Sequence, residues 1–308
     1  SATVFEIGSV TKIFTSLALA YESYLGQVDL DDPVILYLRN APTSNRAFDQ
    51  ITLAGLASHV SGLGQMPAST IHNRYQLMQS LNRWRPPYKV NTWWKYSNIG
   101  FGMLGYTLED ITHQSYITML KKQILIPLKM SDTGLVGSPC FSCAQGYSWN
   151  GQPVTTTKTL LVIPAAGSIR SSGRDMLKFL GAAVGAPGVP TDVAEAMRIT
   201  QMPYYQTPYG AQGLGWEIHN FNKLYSNGYV QAQYRTLTIH SSPAYQVTPE
   251  PLRGMILFDK TGSVAGFRAY IAAVPGAETG IVILANSAMP RTQVVLSARQ
   301  VLYQLVRA

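Results

Sequence analysis

Residues 5–20 of the 308-residue chain read FEIGSVTKIFTSLALA, which puts Ser9 and Lys12 three positions apart where a helical pattern begins. From Val10 to Leu25 the apolar residues Ile13, Phe14, Leu17, Tyr21, Tyr24 and Leu25 recur at helical spacing, and Gly26 supplies a stop. The pattern predicts a helix with one buried face. Residues at i and i+3 share a helical face, so the hydroxyl and the amine can reach each other. Unpaired N–H groups and the positive end of the dipole at a helix start favour a developing anion. A serine hydroxyl is a poor nucleophile until its proton is taken. A lysine desolvated near other cations can take that proton, or can polarise a second group that does. An N-capping serine beside a snorkelling lysine has the same spacing, so the pair needs further residues before it reads as chemistry.

With 46% hydrophobic and 13% charged residues the chain can bury a substantial core, as one large domain or two interleaved ones. No apolar run approaches the roughly 18 residues of a membrane span, and the start shows no charged, apolar and cleavage-site series. The helix of interest opens so close to residue 1 that no strand fits ahead of it, and we expect sequence upstream. The formal charge of +8 suits anionic small molecules. Arg83-Trp84-Arg85 to Trp93-Trp94-Lys95 interleaves basic and aromatic residues as single-strand binders do. Elsewhere the basic residues are scattered, so we expect no nucleic-acid partner and read the stretch as a solvated or substrate-facing rim. Five histidines (His59, His72, His113, His219, His240) show no HExxH spacing, and the CxxC of Cys140 and Cys143 lacks the two further ligands of a zinc site. No metal or cofactor is expected. The two cysteines, in a loop-like context, read as a short-loop disulfide or as two free thiols.

Helical patterns follow at Ile51 to Ser58, Ile99 to Thr112, Gln114 to Ile126 and Gly173 to Ala183, between long loops. After about Gly213 the sequence turns strand-like in GMILFDK, FRAYIAAVP and IVILANS, then returns to helical periodicity in TQVVLSARQVLYQLVRA. The expected class is α+β: an antiparallel sheet flanked by helices plus a mostly helical region, with the active site between them. Residues 1–26 and 213–308 would form the sheet domain and 27–212 the helical one.

Two more motifs complete an ordered set. Tyr96-Ser97-Asn98 precedes the helical IGFGMLG, and Lys260-Thr261-Gly262-Ser263 is read as ending a strand and opening a hairpin. SxxK, YxN and KTG in this order resemble the serine β-lactamase and penicillin-binding protein superfamily. The tyrosine in the middle motif points to class C β-lactamases and the DD-peptidases and esterases near them. The segments LASHVSGLGQMP, IPLKMSDT, AQGLGWEI and TPEPLRGMILFDKTGSVAGFRAYIAAVP extend the class C resemblance over nearly the whole chain.

That resemblance implies a set of roles. Ser9 would be acylated, with Lys12 and Tyr96 sharing its proton and the Lys12 and Lys260 ammonium groups lowering the phenol's pKa. Backbone N–H groups of Ser9 and Ser263 would form an oxyanion hole. Asn98 and Gln65 would hold the substrate's side-chain amide, and Lys260 and Thr261, with Gly262 in the same motif, would face its carboxylate. Two positions depart from the family pattern. Ala166 replaces a tyrosine of the pocket wall, which suggests a more open pocket. Arg291 replaces an asparagine that helps read the carboxylate. His59 is expected to brace a loop, and Trp84, Trp93 and Trp94 to pack or form a rim. The function implied is β-lactam hydrolysis through an acyl-enzyme on Ser9, in a monomer that is periplasmic or secreted. The alternative is a DD-peptidase acting on peptidoglycan peptides, or an esterase, with the same machinery. A binding protein that kept the fold without catalysis is a third reading, disfavoured by the intact Ser9, Lys12 and Tyr96.

Overall fold

A computed structural model describes residues 2–42, 44–155, 158–225 and 241–307, so His240 lies outside the described residues. Gly8–Val10 forms a 3-10 turn that runs into the helix Thr11–Tyr24. Ser9 therefore stands in the turn that leads into the helix. The helix is buried on almost every side: only Tyr21, Ser23 and Tyr24 reach solvent. One buried face was expected from the apolar spacing, which leaves Thr11 and Thr15 outside it, yet both are buried. The Thr11 hydroxyl instead accepts the Ile169 N–H at 3.1 Å, and the Thr15 hydroxyl donates to the Ala165 carbonyl at 2.7 Å. A polar face with internal partners can be buried without the cost of an unmade hydrogen bond.

The main sheet has seven antiparallel strands in the order Tyr245–Gln246, Tyr205–Thr207, Gly210–Gln212, Glu217–Asn220, Ile256–Val264, Phe267–Val274, Thr279–Ala285. Alternation along the Phe267–Val274 strand divides two cores. Ala269, Ile271 and Ala273 join Phe14, Leu17 and Phe179 on one face, where the Phe14 and Phe179 rings stack at 4.1 Å. Tyr270, Ala272 and Val274 meet Val294, Val295, Ala298 and Leu302 of the C-terminal helix Arg291–Arg307 on the other. The α+β architecture is thus a sheet sandwiched between helices, with the helix Thr11–Tyr24 among those on its inner face.

Asn98–Thr112 and Tyr116–Leu120 pack against the helix Thr11–Tyr24, and Leu53–Ala57 packs against Asn98–Thr112. A three-stranded sheet, with Ile169–Ser172 between Val4–Glu6 and Gly134–Leu135, ties the chain start to this region. Cys140 and Cys143 form a disulfide, in a loop whose Ser142 carbonyl accepts the Val4 N–H at 2.9 Å.

One irregularity of the sheet makes the site. Glu217–Asn220 pairs with Ile256–Asp259 only, so from Lys260 onward that edge of the strand is open. The Gly8–Val10 turn fills the opening. Its approach requires two glycines. A Cβ on Gly262 would stand 1.9 Å from the Ile7 carbonyl oxygen, and one on Gly8, whose φ is +50°, would stand 2.7 Å from the Ser263 nitrogen. KTG accordingly lies inside the Ile256–Val264 strand, and the hairpin turn comes later at Ala265-Gly266. The expected strand end was misplaced because a glycine was read as a turn signal when it serves a close approach.

Candidate active site

Lys12 is fully buried beneath the turn that carries Ser9. Its Nζ lies 3.0 Å from Ser9 Oγ, 2.7 Å from Asn98 Oδ1 and 2.6 Å from the Ala166 carbonyl oxygen. Burial first, and the charge of Lys260 second, hold its pKa well below the ordinary 10.5. A neutral amine offers two N–H donors and one lone pair. Asn98 Oδ1 and the Ala166 carbonyl can only accept, so in the neutral form they take both donors and the lone pair faces the Ser9 hydroxyl, whereas the ammonium donates to all three. The Ala166 carbonyl reaches Lys12 because the helix Asn98–Thr112 is stripped of side chains where its segment packs. A Cβ on Gly102 would meet Ile163 at 2.2 Å, and one on Gly105 would meet Ala165 at 2.3 Å. Ala166 itself is fully buried. Its backbone carbonyl serves as an acceptor for Lys12.

The Tyr96 phenol donates to Ser9 Oγ at 2.6 Å. Its pKa is raised, which corrects the expectation that two ammonium groups lower it. Burial is the main cause and the Glu217 carboxylate adds to it, while the Ser9 hydrogen bond and the Arg291 charge oppose them. The expected lowering fails for a physical reason. Burial outweighs the charges around the phenol, and Lys260, whose Nζ lies 5.3 Å from the centre of the Tyr96 ring, is engaged by Glu217 at 3.4 Å. Tyr96 rests as a phenol.

Glu217 was not singled out in the sequence. The available signal was a carboxylate inside the apolar stretch GLGWEI, because a charge in such a context is buried only when paired. Burial raises its pKa, against the opposing pull of Lys260. Directly across the strand pair, Asp259 accepts from Arg299 Nη2 at 2.6 Å and from the Tyr270 hydroxyl at 2.5 Å. Burial pushes its pKa up, but Arg299, His219 and the two hydrogen bonds outweigh burial and hold it low. Carboxylate and imidazole atoms of Glu217, His219 and Asp259 come within 4.8 Å of one another. Lys260 and Arg299 already neutralise this group, so a divalent ion there would stand beside two cations, and the set does not fit a metal.

The other expected residues ring the same cleft. Asn98 begins its helix behind the N-cap Ser97, whose hydroxyl accepts the Gly100 N–H at 2.8 Å. With Oδ1 committed to Lys12, Asn98 presents Nδ2, which meets the Met66 sulfur at 3.1 Å. Gln65 is exposed, and its carbonyl accepts the Asn98 N–H at 3.2 Å. Arg291, exposed at the head of the C-terminal helix, adjoins Thr261 and Gly262. Ser263 Oγ is buried with no hydrogen-bond partner among the described residues. Trp94 is buried and donates to Gln212 Oε1, and Trp93 stacks on Tyr88 at 4.5 Å. A cavity of about 730 Å³ lies elsewhere, among Pro203, Gly210, His219, Thr248 and Arg253.

Residues 1–305 match the Beta-lactamase family profile. A β-lactamase of Psychrobacter immobilis is 30% identical over 306 residues, covering 97% of this chain and 75% of that protein. One of Lysobacter lactamgenus is 30% identical over 291 residues, covering 94% and 75%. Among solved structures, a class C β-lactamase in complex with cefoxitin superposes with a TM-score of 0.87 at 29% identity, over 98% of this chain and 84% of that one. A D-alanine carboxypeptidase from Burkholderia cenocepacia superposes at 0.84 with 29% identity, over 98% and 84%. With a fold, a motif order and a sequence match that all run through nearly its whole length, the chain belongs to the Beta-lactamase family and is a class C-type β-lactamase.

Proposed function

We propose that this β-lactamase opens β-lactam amides by acylation of Ser9, with Lys12 as the resting proton acceptor and Tyr96 as the donor to the leaving nitrogen. The observation that carries the reading is the pair of contacts on Ser9 Oγ: the buried amine of Lys12 at 3.0 Å and the phenol of Tyr96 at 2.6 Å. As the Ser9 oxygen bonds to the carbonyl carbon, its proton passes to Lys12. When the carbon–nitrogen bond breaks, Tyr96 gives its proton to the nitrogen and recovers one from Lys12, so both groups end as they began. Water then attacks the ester by the same relay in reverse. Backbone N–H groups of Ser9 and Ser263, brought together by Gly8 and Gly262, hold the oxyanion, each donor worth roughly 3 kcal/mol in the transition state. Lys260 is tethered by Glu217, which leaves Thr261 and Arg291 as the main carboxylate readers. A guanidinium can do this with two parallel hydrogen bonds. Asn98 Nδ2 and Gln65 take the substrate's side-chain amide. One chain supplies every group, which suits a monomer, and the disulfide suits a periplasmic or secreted protein.

A second reading, hydrolysis of D-alanyl peptides, draws support from the carboxypeptidase that shares the fold. Acylation is common to both, and the fate of the acyl-enzyme separates them. Mass spectrometry of the protein mixed with a penicillin and a chromogenic cephalosporin, from seconds to an hour, follows it directly. A Ser9-dependent adduct that decays as product accumulates is expected. An adduct that persists for the hour favours the peptidase reading, and no adduct at all, matching Ser9→Ala, refutes acylation at Ser9.

A further inference from the structure

His59 meets Tyr96 in three ways. The His59 carbonyl accepts the Lys95 N–H at 2.8 Å, and its Nδ1 accepts the Ser97 N–H at 3.1 Å. One residue thus holds the backbone N–H groups of both neighbours of Tyr96, Lys95 and Ser97. Its ring also lies on the Tyr96 ring, with centroids 4.4 Å apart, and is wedged there by Phe101 at 5.0 Å and by Trp94 edge-on at 5.8 Å. The backbone of His59 is left-handed, with φ +63°, a conformation that few residues adopt without cost. That conformation turns carbonyl and side chain toward the same short segment. A brace for a loop needs one hydrogen bond. This arrangement fixes the position of one side chain.

We infer that His59 is a positioning residue for Tyr96, holding the phenol oxygen at hydrogen-bond distance from Ser9 through two backbone bonds and a ring stack. The inference rests on the proton role proposed for Tyr96. The imidazole must keep its Nδ1 lone pair free to accept from Ser97, so its proton sits on Nε2, which is buried with no partner among the described residues. The charged and titratable groups packed around it favour that state. Lys12 from the nucleophile helix and Lys260 from the sheet oppose an imidazolium, and together with burial, the larger effect, they hold the His59 pKa well below 6.5. A neutral ring is also the form that packs on Tyr96 without adding another cation beside Lys260.

The test compares His59→Ala, His59→Asn and Tyr96→Phe in the full chain, reading the acylation rate at saturating chromogenic cephalosporin by stopped flow, the KM, and the thermal midpoint. Asparagine tolerates the left-handed backbone and can offer Oδ1 to the Ser97 N–H, but supplies no ring. Misplacing a reacting group by about 1 Å costs on the order of 100-fold. His59→Ala is therefore expected to acylate about 10- to 100-fold more slowly with KM little changed, and His59→Asn to recover part of that loss. Wild-type acylation by His59→Asn, or by His59→Ala below its melting temperature, would overturn the inference by leaving His59 a stability role alone. So would a His59→Asn no faster than His59→Ala. Should His59→Ala not fold, the comparison of His59→Asn with wild type still decides. Wild-type acylation by Tyr96→Phe would remove the role of Tyr96 itself, an outcome distinct from impaired Tyr96→Phe with unimpaired His59 variants.

Discussion

Lys12→Met offers the sharpest test of the resting protonation state, and it can be made without any substrate. In the unfolded chain Lys12 binds a proton up to its ordinary pKa of 10.5, whereas in the folded protein burial and Lys260 lower that value well below. Between the two values unfolding takes up one proton. Stability then rises with pH by about 1.4 kcal/mol per unit from this group, because the unfolded state binds more protons than the folded one. For each pH unit between the lowered folded value and 10.5 the wild type should gain about 1.4 kcal/mol relative to Lys12→Met. Below the lowered folded pKa both states are protonated and the difference in slope vanishes. Urea unfolding at half-unit steps measures it, with the variant's curve subtracted so that contributions common to both proteins cancel. The absolute stability of Lys12→Met is a poorer guide, since it strands the Asn98 and Ala166 oxygens that Lys12 now satisfies. Parallel curves would mean that Lys12 is an ammonium in the folded protein. Its lone pair would then be absent, and Tyr96 would have to serve as the base despite its raised pKa.

Tyr96→Phe removes the proton donor without disturbing the ring stack, and acylation should fall by about 100- to 10,000-fold at nearly unchanged stability, as stopped-flow kinetics and thermal melting would show. Gly262→Ala forces a methyl to within 1.9 Å of a backbone oxygen, so the strand and the Ser9 turn must part. We expect a loss of about 1 to 3 kcal/mol in urea unfolding, with activity falling further than stability. Asp259→Ala takes the partner carboxylate away from the buried Arg299 guanidinium, and should cost about 3 to 5 kcal/mol. By the same measurement Glu195→Ala, which breaks the exposed pair with Arg198, should cost at most about 0.5 kcal/mol.

The sequence by itself determined the first long helix, the long C-terminal strands and helix, and the motif residues Ser9, Lys12, Tyr96, Asn98 and Lys260 that the fold brings to one cleft. These are legible because periodicity and motif order are local properties that survive without coordinates. Short elements were not legible. Tyr205–Thr207, Gly210–Gln212 and Ile169–Ser172 span three or four residues each, too few for alternation to show. The tertiary structure alone decided the chemistry's starting point. Whether Lys12 is an amine or an ammonium, and whether Tyr96 is a phenol, depends on burial and on which charges are already paired. Glu217 reaches Lys260 across 43 positions of sequence, and the Ala166 carbonyl reaches Lys12 across 154. Neither contact leaves a pattern along the chain, because a pKa is set by neighbours in space and a motif records only neighbours in sequence.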